Sequence, residues 1–355
     1  MDVSKVDKNF KTETSLPEKD IVFYDAKQPP FEIYGLYRPA LPGSFRRMPE
    51  EAAKKVNQGV AQLYAKTSGG RVRFRTNSKY VAIKAALSGI VALPHMTLVG
   101  SAGFDMYIDG KSKSTYYKSF VPPAGMKDGY ESIIYFEDGE YRDITINFPL
   151  YSGVDALYIG LQEGAEVLSG RQYAHKKPIV FYGSSITQGG CASRPGNSYP
   201  AIISRKLDSD FVNLGFSDSA RGEDAMAEYI AGLDMSALVC DYDHNAPSVS
   251  HLKATHITFY NRIREANENL PIVFVSKPDF ENGRHSNILR RDVIYDTYIL
   301  AYKAGDRNVY FIDGQSLFGG EDRDCCTVDS CHPNDLGFYR MAKVVGGVLK
   351  DILNR

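Results

Sequence analysis

The chain has 355 residues, of which 43% are hydrophobic and 24% are charged, and its formal net charge is −1. That charge balance leaves no electrostatic footprint for binding nucleic acid or an anionic membrane surface. No apolar run approaches the ~20 residues that are needed to span a bilayer. Since the chain is longer than one typical hydrophobic core, we expect two domains.

The first residues, 1–8, lack the apolar core of a signal peptide. Two interpretations stay open: a cytoplasmic protein, or a periplasmic or secreted protein whose leader has been removed. We expect the second.

Five cysteines occur, and an odd number leaves at least one free thiol in each chain unless two chains pair. Cys240 lies in a buried-strand pattern and is expected to be a small core residue. Cys325 and Cys326 give a poor zinc signal, because no second pair has ligand spacing. A disulfide from Cys191 to Cys326 or Cys331 is conceivable, and the sequence leaves it open.

From about residue 33 to residue 161 the hydrophobic pattern has mostly a period of two. Residues 71–76, 80–85 and 143–148 alternate between apolar and polar side chains, and turn-forming residues separate these runs. Short strands with turns between them are typical of a β-sandwich. Residues 50–65 form a helix-like interruption, which the sequence Asn-Gln-Gly at 57–59 weakens.

From about residue 177 strands alternate with helices. Strands are predicted at 178–183, 211–216, 237–243, 271–275 and 309–313. Helices are predicted at 198–207, 224–232, 251–268, 289–304 and 335–353. This alternation indicates a parallel sheet covered by helices on both faces. With residues 170–177 as the linker, we predict an all-β sandwich domain at 1–170 and an α/β domain at 176–355.

Three residues of the α/β half could act as nucleophile, base and orienting acid. Ser185 lies in a small-residue turn, Gly-Ser-Ser-Ile-Thr at 183–187, directly after the first strand. A serine hydroxyl needs a base to remove its proton during attack, and His332 can supply it. Asp329, three residues earlier, can bind the other imidazole nitrogen. The same segment can also be a helix entry capped by Asn334 or Asp335, and both interpretations can hold together.

The negative charge that forms during attack on an ester needs hydrogen-bond donors. Gly215 follows the second strand and can present a backbone N–H, and Asn245 follows the third strand and can donate its side-chain amide. The backbone N–H of Ser185 is the remaining candidate for this oxyanion hole. Ligands of a parallel sheet bind beyond the carboxyl ends of its strands, so we expect these residues to lie together. Alternatively, Gly215 only forms a turn and Asn245 only begins a loop.

In this order, the segments resemble the four blocks of the SGNH (GDSL-like) hydrolase superfamily. Ser185 matches the nucleophile, Gly215 and Asn245 match the second and third blocks, and Asp329 with His332 matches the last. The resemblance covers roughly the C-terminal half. It implies a three-layer flavodoxin-like fold and hydrolysis of esters through an acyl-enzyme, with no metal and no cofactor.

Three positions depart from that family pattern. Ser184 replaces the usual Asp before the nucleophile, Asp243 stands where Gly is common, and Ala246 stands where Asp is common. These changes leave the catalytic atoms in place. They remove the basis for inferring the substrate from the lipases and thioesterases of the superfamily.

Residues 103–107, Gly-Phe-Asp-Met-Tyr, resemble the Gly-x-Asp-Leu-Tyr signature of a jelly-roll-like β-sandwich domain that precedes some bacterial SGNH-type esterases. Such two-domain enzymes are similar to carbohydrate esterases that remove acetyl groups from polysaccharides. The resemblance implies a carboxylic ester hydrolase whose partner is a small-molecule or polysaccharide ester. Two alternatives stay open: an acyltransferase on the same site, and a glycan-binding protein whose catalytic half has lapsed.

Two further residues are candidates for lining a substrate pocket. Arg194 could bind a substrate carboxylate or pair with a protein acid, and His244 adjoins Asn245. His244, His251 and His256 lack zinc-protease spacing, so no metal site is predicted. No nucleic-acid or membrane partner is expected, and the oligomeric state is left open.

Overall fold

The computed structural model describes residues 14–279 and 281–354 and divides the chain into two compact units. Among the described residues, the N-terminal unit contains residues 14–47, 65–173 and 194–196. The C-terminal unit contains residues 48–64, residues 174–193 and the described residues from 197 onward. Residues 1–8, on which the expectation about a leader depends, lie outside the described residues.

The N-terminal unit is built from antiparallel strands. In chain order they are β1 Ile21–Asp25, β2 Glu32–Tyr34, β3 Arg71–Thr76, β4 Tyr80–Ser88, β5 Phe104–Asp109, β6 Ser114–Phe120, β7 Gly129–Tyr135, β8 Arg142–Asn147, β9 Gly153–Gln162 and β10 Val167–Ser169. One sheet has the order β1-β9-β4-β7. The other has the order β10-β3-β8-β5-β6, with β2 paired to β3.

Alternate side chains of the two sheets meet in one apolar core. Val72 and Phe74 of β3 and Ile83 of β4 belong to this core and are fully buried. Arg73 points to the opposite side of β3, because successive side chains of a strand alternate between faces. There its guanidinium lies 4.1 Å from the ring centre of Tyr173. The predicted β-sandwich is confirmed.

The C-terminal unit contains a parallel five-stranded sheet. Its strands are β11 His175–Gly183, β12 Ser209–Gly215, β13 Ala237–Asp241, β14 Ile272–Val275 and β15 Val309–Ile312. Their order in space is β12-β11-β13-β14-β15, so β12 and β13 lie on opposite sides of β11. This is the flavodoxin-like order, and the predicted α/β fold is confirmed. The order reverses at β11, whose carboxyl end is where such sheets bind ligands.

Helices of the C-terminal unit cover both faces of its sheet. They are α1 Glu50–Val56, α2 Gln58–Leu63, α3 Ser185–Gln188, α4 Tyr199–Leu207, α5 Asp224–Ala231, α6 Val249–Ala266, α7 Arg284–Lys303 and α8 Asp335–Leu353. Val180 and Tyr182 of β11 share a core with α5, α6 and α7. Phe181 faces the other side and contacts Tyr199 of α4, against which α8 packs. None of the helices in the described ranges combines the length and the apolar character needed to cross a bilayer.

The helix-like stretch at 50–65 is two short helices rather than one. Asn57 separates them with an extended backbone, and its side chain accepts the N–H of Val60 to cap α2. The Asn57 amide also donates to Ser219 O at 2.8 Å. Asparagine is a strong capping residue, which explains why the helix stops and restarts here.

All five cysteines are free thiols in the structure, so the conceivable disulfide of Cys191 is not formed. Cys240 is buried in the core of the C-terminal unit, as its strand pattern predicts.

Candidate active site

The candidate site lies at the carboxyl end of β11. Gly183 ends the strand, and Ser185 is the first residue of α3. Ser184 caps this helix, since its hydroxyl accepts the N–H of Ile186 at 3.2 Å. Serine and aspartate are both favoured capping residues. The cap therefore accounts for a serine at the position where the resembled family usually has Asp.

Ser185, His332 and Asp329 form a chain of hydrogen bonds. Ser185 Oγ lies 2.9 Å from His332 Nε2, and His332 Nδ1 lies 2.8 Å from Asp329 Oδ2. Ser185 is 9% exposed, whereas the side chain of Asp329 is 37% exposed. The hydroxyl is thus shielded and the acid lies toward solvent. The order hydroxyl, imidazole, carboxylate is the one that proton removal from a serine requires.

Asp329 holds the loop as well as the imidazole. Its carboxylate accepts the backbone N–H of His332 at 2.7 Å and that of Cys331 at 3.1 Å, around a left-handed Ser330. Burial acts to raise the pKa of Asp329, but the hydrogen bonds from His332 and Cys331 lower it overall. Asp329 is therefore a carboxylate at neutral pH. Asn334 caps α8, so the segment is also the helix entry that the sequence allows.

A buried ion pair positions Asn245 beyond the end of β13. Asp243 accepts from Arg290 Nε at 2.7 Å, and Arg290 also donates to Ala246 O at 2.8 Å. No local pattern in the sequence indicates Arg290 as the partner of Asp243, an acid at a position where glycine is common. Asn245 donates one amide hydrogen to Phe216 O at 2.8 Å. A side-chain amide carries a second hydrogen, so Asn245 can also donate to a ligand.

The backbone N–H of Gly215, which the sequence predicts as an oxyanion donor, is bonded to a neighbouring side chain. This N–H donates to Asn213 Oδ1 at 2.8 Å, and Asn213 donates to Thr187 O at 2.7 Å. A Cβ at position 215 would overlap the backbone of Thr187 and Gln188. The glycine is required for the close approach of β12 to α3, and this geometry does not support a role in an oxyanion hole.

The turn after β12 lies against the start of α3. Phe216 donates its N–H to Gly183 O at 2.8 Å, and Ser217 donates its N–H to Gln188 Oε1 at 3.0 Å. Asp218 comes next and has a left-handed φ of 54°. Within residues 14–279 and 281–354, no acceptor takes the backbone N–H of Asp218.

A buried carboxyl group that no sequence pattern indicated lies beneath α3. Asp241, the last residue of β13, is 1% exposed. It accepts hydrogen bonds from Thr187 Oγ1 at 3.1 Å and from Tyr199 OH at 3.2 Å. Burial raises the pKa of Asp241 to about 8, although the two hydroxyl groups act to lower it. The group is therefore mostly protonated at neutral pH.

The raised pKa of Asp241 predicts that it weakens the fold as pH rises. In the unfolded chain the group has a pKa near 3.8, so its contribution is fully favourable below that pH and is lost progressively up to about pH 8. Asp241→Asn cannot ionise and keeps an acceptor oxygen. We expect the free energy of unfolding of Asp241→Asn, relative to that of wild type, to increase by a few kcal/mol from pH 5 to pH 8.5. Urea unfolding of both proteins across this range measures the difference, and parallel curves would contradict it.

His244 lies beside Cys331, on the loop that carries Asp329 and His332, and is held by other side chains. Its Nε2 is 2.6 Å from Asp279 Oδ1, and its Nδ1 is 3.9 Å from Cys331 Sγ. Donor atoms of His244, Asp279 and Cys331 lie within 4.8 Å of one another, as do those of Asp329, Cys331 and His332. Either group could hold a metal ion by spacing. The histidines and carboxylates in them already satisfy one another, so the geometry does not require an ion.

The other two histidines considered as metal ligands have separate structural roles. His256 is buried, its Nδ1 lies 2.9 Å from Thr297 Oγ1, and burial lowers its pKa to about 3. His251 Nε2 lies 2.8 Å from Arg221 O.

Arg194 belongs to the N-terminal unit, where it pairs with a protein acid. Its Nη1 donates to Asp105 Oδ2 at 2.9 Å and to Tyr107 OH, and its guanidinium lies 3.8 Å from the ring centre of Tyr116. Asp105 is fully buried and also accepts the N–H of Gly196 at 2.8 Å. The Asp and Tyr of the Gly-x-Asp-Leu-Tyr-like motif therefore bind the segment 194–196. Of the two interpretations of Arg194, pairing with a protein acid is the one observed.

Comparison with protein families identifies both halves of the chain. Residues 176–350 match the GDSL-like Lipase/Acylhydrolase family, and residues 21–167 match the GxDLY family, described as the N-terminus of Esterase_SGNH_hydro-type proteins. Comparison with curated protein sequences finds no match.

Several solved structures share the fold over nearly the whole chain. A Bacteroides ovatus protein described as a GDSL-like lipase is 28% identical, with a TM-score of 0.85 over 94% of this chain and 98% of its own. A salicylyl-acyltransferase from a tetracycline biosynthetic pathway is 20% identical, with a TM-score of 0.77 over 94% and 99%. An acetyl xylan esterase of the rumen bacterium Butyrivibrio proteoclasticus is 13% identical, with a TM-score of 0.57 over 94% and 99%.

Proposed function

Residues 176–350 make this chain a member of the GDSL-like lipase/acylhydrolase family and a serine esterase, and we propose that it removes acetyl groups from carbohydrate esters. The reaction would use Ser185, His332 and Asp329 and pass through an acyl-enzyme. The observation that carries this proposal is the unbroken hydrogen-bond chain from hydroxyl to carboxylate, with spacings of 2.9 and 2.8 Å.

In the proposed first step, Ser185 Oγ attacks the acyl carbonyl carbon and its proton passes to His332 Nε2. Asp329 accepts a hydrogen bond from His332 Nδ1–H, which leaves Nε2 unprotonated and stabilises the imidazolium that forms. His332 then gives the proton to the leaving alcohol. A water attacks the acyl-serine in the same way, releases the acid and restores the hydroxyl.

The oxyanion would be held by the backbone N–H of Ser185 and the side-chain amide of Asn245. Since the N–H of Gly215 is bonded to Asn213, we assign the remaining donor to the backbone N–H of Asp218. Two contacts support this assignment: Phe216 N–H binds Gly183 O, and Ser217 N–H binds Gln188 Oε1. They hold the turn against the segment that carries the nucleophile.

The substrate class rests on similarity. The acetyl xylan esterase of Butyrivibrio proteoclasticus has the same fold over 99% of its length, and the N-terminal unit matches a domain that precedes SGNH-type esterases. Folds host several activities, so we carry over only the class, an acetylated carbohydrate.

Acyl transfer to an alcohol is the second candidate. The salicylyl-acyltransferase has the same fold over 94% of this chain, and the two reactions differ only in whether water or another hydroxyl accepts the acyl group. Product analysis with and without an added glycan separates them. An acylated glycan that forms in preference to free acid would support the transferase.

A panel of aryl esters tests the proposed substrate class. With acetyl, butyryl and longer acyl chains, we expect kcat/KM to be highest for acetyl and to fall with chain length. Acetylated xylan and acetylated pectin should then release acetate. A preference for long acyl chains would contradict this proposal and favour a lipase or thioesterase.

A further inference from the structure

A second row of three neighbouring side chains, Cys331, His244 and Asp279, lies beside the proposed triad. Cys331 Sγ lies 3.9 Å from His244 Nδ1, and His244 Nε2 lies 2.6 Å from Asp279 Oδ1. The order thiol, imidazole, carboxylate repeats the order of Ser185, His332 and Asp329. The side chain of Asp279 is 4% exposed and that of His244 is 13% exposed, so both side chains are shielded from bulk water.

The position of Cys331 links this row to the proposed active site. Cys331 lies between Asp329 and His332 in the sequence, and its backbone N–H donates to Asp329 Oδ1 at 3.1 Å. Its Sγ lies within 4.8 Å of a ring nitrogen of His332. A group attached to this sulfur would occupy the immediate surroundings of the imidazole that Ser185 needs.

Cys331 is partly exposed, and a cavity of about 620 Å³ borders the segment that carries it. Asp279, the carboxylate of the row, lines this cavity. Ser330, which precedes Cys331 in the sequence, lines it as well. Asn282 also lines it and ties its wall to the loop, because its amide donates to Ser330 O at 3.1 Å. The volume lies in the range of small-molecule sites.

We propose that Cys331 is a modification site at which small disulfides react and block the proposed esterase. The thiol proton passes to His244 Nδ1, and Cys331 Sγ bonds to one sulfur of the disulfide. The S–S bond of the reagent breaks, and its second sulfur leaves as a thiolate. Asp279 stabilises the imidazolium through His244 Nε2. An excess of free thiol reverses the exchange.

The surroundings of Cys331 make it a poor nucleophile unless a base removes its proton. Burial, followed by the charges of Asp279 and Asp329, raises the pKa of Cys331 to about 11. Without a base, such a thiol reacts slowly, because the thiolate is the nucleophile. Cys325 is the matched control: it is an exposed thiol of the same segment. Exposure alone therefore predicts that Cys325 reacts first, whereas the relay predicts that Cys331 does.

The test is the rate at which 5,5′-dithiobis(2-nitrobenzoate) labels each cysteine of the full chain at neutral pH, followed by peptide mass spectrometry. We expect Cys331 to be labelled ahead of Cys325. His244→Gln and Asp279→Asn each remove part of the relay. We expect the first to slow labelling of Cys331 by about 100-fold, the lower end of what a positioned general base contributes, and to leave Cys325 unchanged.

Aryl-acetate hydrolysis by the labelled protein tests the block, which rests on the proposed function. Activity should fall in step with labelling of Cys331 and return with dithiothreitol. Cys325→Ser should stay sensitive, whereas Cys331→Ser should keep its own untreated rate when the reagent is added.

Faster labelling of Cys325, or an unchanged rate at Cys331 in His244→Gln, would overturn the relay. Full labelling of Cys331 without loss of activity would overturn the block. An unlabelled protein with no esterase activity would instead count against the proposed function, and the labelling rates would still decide the relay.

Discussion

Ser185→Ala is expected to reduce ester hydrolysis by on the order of 10⁶-fold, the scale of loss seen when the nucleophile of a serine triad is removed. The reason is that Ser185 Oγ lies 2.9 Å from His332 Nε2 and forms the acyl-enzyme in the proposed mechanism. Initial rates on an aryl acetate, measured on purified wild type and variant, give the ratio.

Ser184→Ala is the matched control for this substitution. Its hydroxyl caps α3 and accepts the N–H of Ile186, so the change should cost about 1 kcal/mol of stability and leave hydrolysis in place. Thermal unfolding of both variants checks that the fold survives. Wild-type rates in Ser185→Ala would remove this residue from the mechanism.

Asp329→Asn is expected to lower kcat by up to about 10⁴-fold, because the wrong tautomer of the base is stabilised. The amide oxygen can still accept the backbone N–H groups of Cys331 and His332. Its NH₂ group then faces His332 Nδ1, which must become the acceptor. The proton moves to Nε2, and His332 can no longer take the proton of Ser185.

The exposed acid Asp324, in the same segment, offers the control substitution Asp324→Asn, which should leave kcat within a few-fold of wild type. If Asp329→Asn behaves like this control, the carboxylate does not orient the base. The loss should appear in kcat rather than in KM, because Asp329 touches the base and not the ester in the proposed mechanism.

The sequence predicted the architecture well because its signals are local. Alternating runs such as residues 71–76 mark sandwich strands, and the strands and helices after residue 177 form close to where their patterns lie. It also predicted that the candidate site residues lie together, since they follow the carboxyl ends of parallel strands, which meet at one edge of a sheet. Ser185 and His332 therefore meet although 147 residues separate them.

The sequence did not predict partners that are distant along the chain. No residue near Asp243 in the sequence indicates that it pairs with Arg290, and none near His244 indicates that it pairs with Asp279. The sequence also did not indicate that the N–H of Gly215 donates to Asn213 Oδ1, a contact that depends on side-chain direction. Asp241 looks like an ordinary strand-end acid, and only its complete burial raises its pKa. Such effects come from packing, which a linear pattern does not encode.

The central claim is that Ser185 is an activated nucleophile, and a fluorophosphonate probe tests it most directly. Peptide mass spectrometry after labelling of the intact protein should find one phosphonyl adduct, on Ser185, formed in wild type and lost when His332 is replaced by alanine. An unreacted Ser185, or an adduct that forms equally fast without His332, would contradict the account.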